Sequence, residues 1–212
     1  MTVPDHLQAW LAVRDSVPWP RSPAHRGMIT PRRDGPVHDI VTRDGPRAAR
    51  LLAALAQARA DAESGAALSF EVLSGWQRHV LGVAEVPFRS HPAFAKEGRE
   101  RYGVSPGLRG EFDRCLAQAH HAGPGLAARA ARLYLDVCFF HPFDDGNARS
   151  AFLALTFLLA GAGITLDQVA PLRRIPRRAG SSEDALALAE LVAILITNTA
   201  RRGTATELST RS

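Results

Sequence analysis

The stretch Leu126 to Phe140 carries only Arg129, Arg132 and Asp136 as charged residues. A helix of that composition is apolar around most of its circumference, so protein must cover it on nearly every side. A second apolar run, Asn147 to Ala160, follows after a short break. Two such helices in succession require a helical bundle built around them. Other segments supply the cover. Pro46 marks a helix start before the Ala- and Leu-rich run Arg47 to Glu63, and a further helix is expected from Ser69 to Val80. Ser105 and Pro106 open another, from Leu108 to His121, and the Gly123-Pro124-Gly125 break ends it. Ser181 to Asp184 give the cap and acidic first turn of a last helix ending near Arg202. From Gly82 to Ala95 the prolines at 87 and 92 forbid a helix, and an extended flap or short hairpin is expected. The predicted class is mainly α, a bundle around two buried helices with one short extended flap. Residues 46–202 form the helical domain. Residues 1–45 read as irregular, with a short helix from Asp5 to Arg14 and prolines at 18, 20, 23, 31 and 36, and 203–212 as a disordered tail.

With 212 residues, 46% of them hydrophobic, the chain suits one globular domain. Cys115 and Cys138 sit in apolar helical patterns and suggest neither a disulfide scaffold nor a zinc site, which fits a reducing cytoplasm. The longest apolar run, Ala151 to Ile164, is too short to span a bilayer, so no membrane insertion is expected. The net charge of +5 comes from arginines scattered along the chain, with Lys96 the only lysine, and this reads as a composition bias. One denser cluster, Arg173, Arg174, Arg177 and Arg178, is interrupted by Pro171 and Pro176, which break any helix that could enter a groove; nucleic acid is not an expected partner.

The break between the two buried helices reads His-Pro-Phe-Asp-Asp-Gly-Asn-Ala-Arg, His141 to Arg149. A merely structural loop needs a stop for one helix and a cap for the next, which Pro142 with Asp144, Asp145 or Asn147 would supply. That leaves His141 and Arg149 without a reason among their apolar neighbours, where an idle charge is costly to bury. A functional reading uses the second helix's N-terminus, whose free N–H groups and dipole favour an anion, with Gly146 permitting close approach of a phosphate. Arg149, one turn inside, can return to the phosphates, Asp145 offers a hard oxygen ligand for Mg²⁺, and His141 can accept a proton from an attacking hydroxyl. Positioning and charge neutralisation are what phosphoryl or nucleotidyl transfer chiefly needs.

This segment resembles the Fic/Doc signature: His-Pro-Phe, any residue, Asp or Glu, Gly-Asn, Gly or Lys, Arg. Only Ala148 departs from it. The resemblance implies a Fic-like fold over about 69–202 and an enzyme that moves AMP from ATP to a Ser, Thr or Tyr hydroxyl of a protein, or to a small-molecule hydroxyl. It implies His141 as base, Phe143 as the loop's anchor, Asp145 as Mg²⁺ ligand, and Gly146, Asn147, Ala148 and Arg149 around the phosphates. The upstream flap would pair with the target, and Phe88, Arg89 and Ser90 occupy that stretch. Ala148 stands in place of the lysine of the Doc-like phosphotransferases, and Phe152 in place of a second arginine found in many AMP-transferring members. Phosphotransfer, another nucleotide donor, or a non-catalytic nucleotide-binding module are the alternatives. Fic proteins that restrain themselves carry Ser or Thr, three residues, then Glu; no Ser or Thr here meets that pattern, and Thr30 to Asp34 comes nearest. Any restraint is therefore expected from a separate partner. His120 with His121, Trp76, His91 and Lys96 are weaker candidates, the first three read as a solvated helix end and a core aromatic, the last two as loop residues beside the flap.

Overall fold

The computed structural model describes residues 3–21, 27–121 and 123–209. The chain runs through α1 (His6–Arg14), α2 (Gly35–Arg43), α3 (Ala48–Glu63), α4 (Phe70–Leu81), β1 (Ala93–Ala95), β2 (Glu100–Tyr102), α5 (Leu108–Ala117), α6 (Leu126–Phe140), α7 (Asn147–Ala160), α8 (Ala170–Arg174) and α9 (Ser182–Ser209). The class is mainly α. Helix α6 is the hub, flanked by α7 and α9 and touched by α1 and α5, while α3 and α4 close over α7. The apolar composition of α6 and α7 accounts for this: Leu133, Val137 and Phe140 on one, and Phe152, Leu153 and Leu155 on the other, are all but inaccessible.

The one carboxylate inside α6 is matched from the N-terminal segment. Asp136 accepts from Trp10 Nε1 (2.9 Å) and from Arg14 Nε and Nη2 (2.6 and 2.8 Å), all within the core. The N-terminal helix is thus docked on the bundle. Leu7 and Trp10 are fully buried, and Asp5 caps α1 while pairing with Arg101 of β2 at 2.8 Å. The segment predicted as irregular also contains α2. Asp34 caps that helix by accepting from the Val37 N–H at 3.0 Å, Pro36 sits in its first turn and Ile40 is buried beneath it. The prolines of the segment obscured this start signal. Helix α9 continues to Ser209, past the end expected near Arg202. Residues 210–212 lie outside the described residues.

The extended element sits later than predicted. Residues 82–92 form no strand; β1 and β2 pair antiparallel, Ala93 opposite Tyr102 and Ala95 opposite Glu100. Lys96, Glu97 and Gly98 take left-handed φ values of 49°, 60° and 84° to close the turn. Among the described residues no helix is long and apolar enough to cross a membrane.

Candidate active site

Helix α6 ends at His141, whose backbone is left-handed (φ 50°, ψ 55°), a conformation that costs a residue with a side chain about 1–2 kcal/mol. Pro142 blocks continuation of the helix. What holds the turn is Arg89. Its guanidinium donates to the carbonyls of Phe140 (3.0 Å), His141 (2.6 Å), His91 (2.8 Å), Tyr102 (3.1 Å) and Gly103 (2.7 Å), and its N–H donates to the Pro142 carbonyl (3.0 Å). A cation there satisfies orphan carbonyls at a helix C-terminus and opposes the dipole. Arg89 is therefore a staple between hairpin and helix and is not available to a target, contrary to the expectation for the flap. Phe88 is likewise turned inward, 5.3 Å from the Phe70 ring and 5.9 Å from that of Phe112. Ser90 is exposed, its hydroxyl 2.9 Å from Nδ1 of His91. Apolar sequence around Phe88, and a buried arginine's need for acceptors, were the signals that could have placed these two residues inside.

The His141 ring is gripped on two sides. It stacks on Tyr102 of β2 with centroids 4.1 Å apart and planes 14° from parallel, and the Tyr102 hydroxyl donates to Glu100 (2.8 Å). Nδ1–H donates to the Cys138 carbonyl at 3.2 Å, which leaves Nε2 as the unprotonated nitrogen. Burial pushes the imidazole down to about 4; the Cys138 carbonyl opposes this and the Arg89 charge adds to it. The ring is a neutral base throughout the physiological range. Because the unfolded ring takes up its proton near pH 6.5, the stability contributed by keeping it neutral is complete above about 6.5 and is lost as pH falls toward about 4. The imidazole resonance of His141 is expected to titrate near pH 4 in the native protein, and His141→Asn should flatten the loss of stability over that window; a midpoint near 6.5 would contradict the burial of the ring.

The loop after His141 is braced from within. Asn147 Oδ1 accepts from the Phe143 N–H (3.0 Å) and its Nδ2 donates to the Phe143 carbonyl (2.7 Å), while the Phe143 ring is buried 5.4 Å from that of Phe70. Gln77 of α4 donates to the Asp145 carbonyl at 2.6 Å. Gly146 adopts φ 79°, and a Cβ there would collide with the Gln77 amide. The side chain of Asn147, expected to line the anion hole, also shapes the loop through these two bonds. Asn147→Ala strands two buried main-chain groups of Phe143 and is expected to destabilise the protein by about 1–3 kcal/mol, measured by urea unfolding; an unchanged midpoint would remove this bracing role.

The first-turn N–H groups of Asn147 and Ala148 find no backbone acceptor among the described residues, as at any helix start. Asp145 Oδ1 accepts from the Gly146 N–H (2.6 Å) and Oδ2 pairs with Arg149 Nη2 (3.2 Å), with the carboxylate exposed and the guanidinium half-buried. The His141 ring, Asn147 and Ala148 share the wall of a cavity of about 350 Å³ with Tyr102 and Lys96 of the hairpin region and with Arg173, Arg174 and Arg177. Those arginines were visible in the sequence as a cluster, but nothing in the pattern brings the α8–α9 connection back to α6. Phe152 lies in the core, with the Arg173 guanidinium 5.1 Å over its ring. Trp76 is a buried core aromatic, and Lys96 is paired with Glu100 at 2.6 Å.

The imidazole of His141 and the first turn of α7 face one cavity. The Fic/DOC family model matches residues 89–159, which span Arg89, the hairpin and the whole of His141 to Arg149, so the family resemblance read from the sequence is shown over those residues. The crystal structure of a Fic family protein from Desulfovibrio desulfuricans G20 is similar with a TM-score of 0.47 at 16% identity, covering 97% of this chain and 64% of that one. The chain thus spans less than two thirds of that protein's length. No curated protein matches the chain.

Proposed function

We propose that the protein is a nucleotidyltransferase that moves AMP from ATP to the hydroxyl of a Ser, Thr or Tyr side chain, or to a small-molecule hydroxyl. The observation that carries this reading is a neutral His141 with Nε2 unprotonated, facing the same cavity as the first turn of α7. The α-phosphate would accept hydrogen bonds from the N–H groups of Asn147 and Ala148, and Arg149 would turn from Asp145 to the phosphates. The acceptor hydroxyl gives its proton to Nε2 of His141 as its oxygen bonds to the α-phosphorus; the bond from that phosphorus to the bridging oxygen breaks, and pyrophosphate leaves. Negative charge arriving beside the imidazole raises its proton affinity, bringing the base nearer to its working pH once nucleotide is bound.

Asp145 fits the demands of Mg²⁺ held jointly with a nucleotide. Among the described residues no three or more His, Cys, Asp or Glu side chains converge to hold a metal, and an exposed lone carboxylate beside a phosphate site is the usual protein share of Mg²⁺ coordination. When bound there, the cation would neutralise charge on the phosphates. Asp145→Asn should keep the loop's shape and weaken binding of Mg²⁺-ATP by about tenfold while sparing metal-free ATP; equal affinities in both conditions would remove Asp145 as ligand.

For the acceptor, the outer edge of β1 offers unpaired main-chain groups beside the half-exposed Phe94, and an extended peptide could add there as a strand. Arg149 has Asp145 as its carboxylate partner, and Asp34, the nearest counterpart of an inhibitory glutamate, is engaged with Arg59 at 2.6 Å. Restraint by a separate protein, or none, is consistent with this. Incubating the protein with each nucleoside triphosphate and a lysate, then reading intact masses, tests the reading: adducts of the mass of a nucleoside monophosphate support it, and adducts of a single phosphate point to phosphotransfer.

A further inference from the structure

The cavity beside His141 has a basic wall whose charges are unequally spent. Lys96 is neutralised by Glu100 at 2.6 Å, and Arg173 by Asp39 and Asp44, each at 2.8 Å. Arg174 and Arg177 line the same cavity and form no ion pair among the described residues. Arg177 donates through Nη1 to the carbonyls of Ile175 (3.1 Å) and Pro176 (3.2 Å), and its Nε is buried without an acceptor. The unspent Nε–Nη2 edge is the one that holds a phosphate side-on through two parallel bonds. A buried donor with nothing to bond calls for a reason, and an anion in the cavity would give it one after a small turn of the guanidinium. Phe152, buried beneath Arg173, leaves α7 with Arg149 as the cation of the proposed phosphate site.

Resting on the nucleotidyl-transfer reading, we propose that Arg177, with Arg174 beside it, is a second phosphate-binding locus that takes the terminal phosphates of the nucleoside triphosphate. The α8–α9 connection then supplies from outside the loop a cation that α7 lacks, and makes the site selective for triphosphates over monophosphates. An arginine serving this purpose should hold no ion pair in the free protein, and Arg177 forms none among the described residues.

The test is calorimetric binding of ATP, AMP and inorganic tripolyphosphate, with GTP, CTP and UTP and their monophosphates in parallel, to the full chain and to Arg177→Gln, Arg177→Lys and Arg174→Gln. Arg177→Gln is expected to bind the preferred triphosphate and tripolyphosphate about tenfold more weakly and the monophosphate within about twofold of wild type. Arg177→Lys should fall between, since it keeps the charge without the two-pronged edge. Thermal melts check that each variant is folded, which is expected because Arg177 holds no ion pair among the described residues. Equal losses for triphosphate and monophosphate, or no loss for either, overturn the proposal while leaving the nucleotide site intact. Failure of the wild-type protein to bind any triphosphate overturns both readings, so the two failures are told apart.

Discussion

Replacing His141 with alanine is expected to lower the rate of transfer by at least about 100-fold while leaving affinity for Mg²⁺-ATP within a few-fold of wild type. The two effects separate because the imidazole has its own supports. Its ring rests on Tyr102 and the Cys138 carbonyl, whereas the proposed phosphate seat is the α7 N-terminus with Gly146 and Arg149. Alanine at φ 50° is strained, so His141→Asn serves as a second variant: asparagine tolerates the left-handed region and cannot act as a base. Loss of rate in both variants with binding retained assigns the proton transfer to His141. Parallel loss of binding and melting temperature would make it a structural residue.

Asp136→Ala is expected to destabilise the protein by about 3–5 kcal/mol, since it leaves the buried Arg14 guanidinium with only the exposed Asp15 as partner and strands the Trp10 N–H. For a chain of this size that lowers the melting temperature by roughly 10 °C. The double variant Asp136→Leu with Arg14→Met should recover part of the loss, because a buried pair exchanged for apolar side chains is often neutral, while the Trp10 N–H still lacks its acceptor. The same contact determines what removal of residues 1–45 does. Leu7, Trp10 and Arg14 cover α6, so that truncation exposes the hub and should yield aggregated protein. A soluble truncated protein with an unchanged melting temperature would contradict the docking of α1.

The two central helices were legible because their burial is written in composition: α6 and α7 have almost no polar face, and no other placement satisfies such a sequence. The His141–Arg149 loop was legible for a related reason, since charged groups in an apolar context need partners or work. Helix α2 was not, because Asp34-Gly35-Pro36 is a start signal embedded among prolines that read as breakers. Arg89 was misplaced for a deeper reason. Its five carbonyl acceptors come from segments 2 to 52 residues away, and no periodicity reports that convergence. Arg174 and Arg177 were seen as charge, but their place beside His141 depends on α8 folding back against α7 and α9. Tyr102 had no sequence signal at all: its stacking on the imidazole is fixed by the register of a hairpin three residues long on each strand.

Parallel reactions with ATP labelled with ³²P at the α or the γ position, run with lysate acceptors and resolved from free nucleotide, test the central claim most directly. Nucleotidyl transfer at His141 predicts label on the acceptor from the α position alone, release of pyrophosphate from the γ-labelled reaction, and neither with His141→Asn. Label reaching the acceptor only from the γ position, or α-label that persists undiminished in His141→Asn, would contradict it.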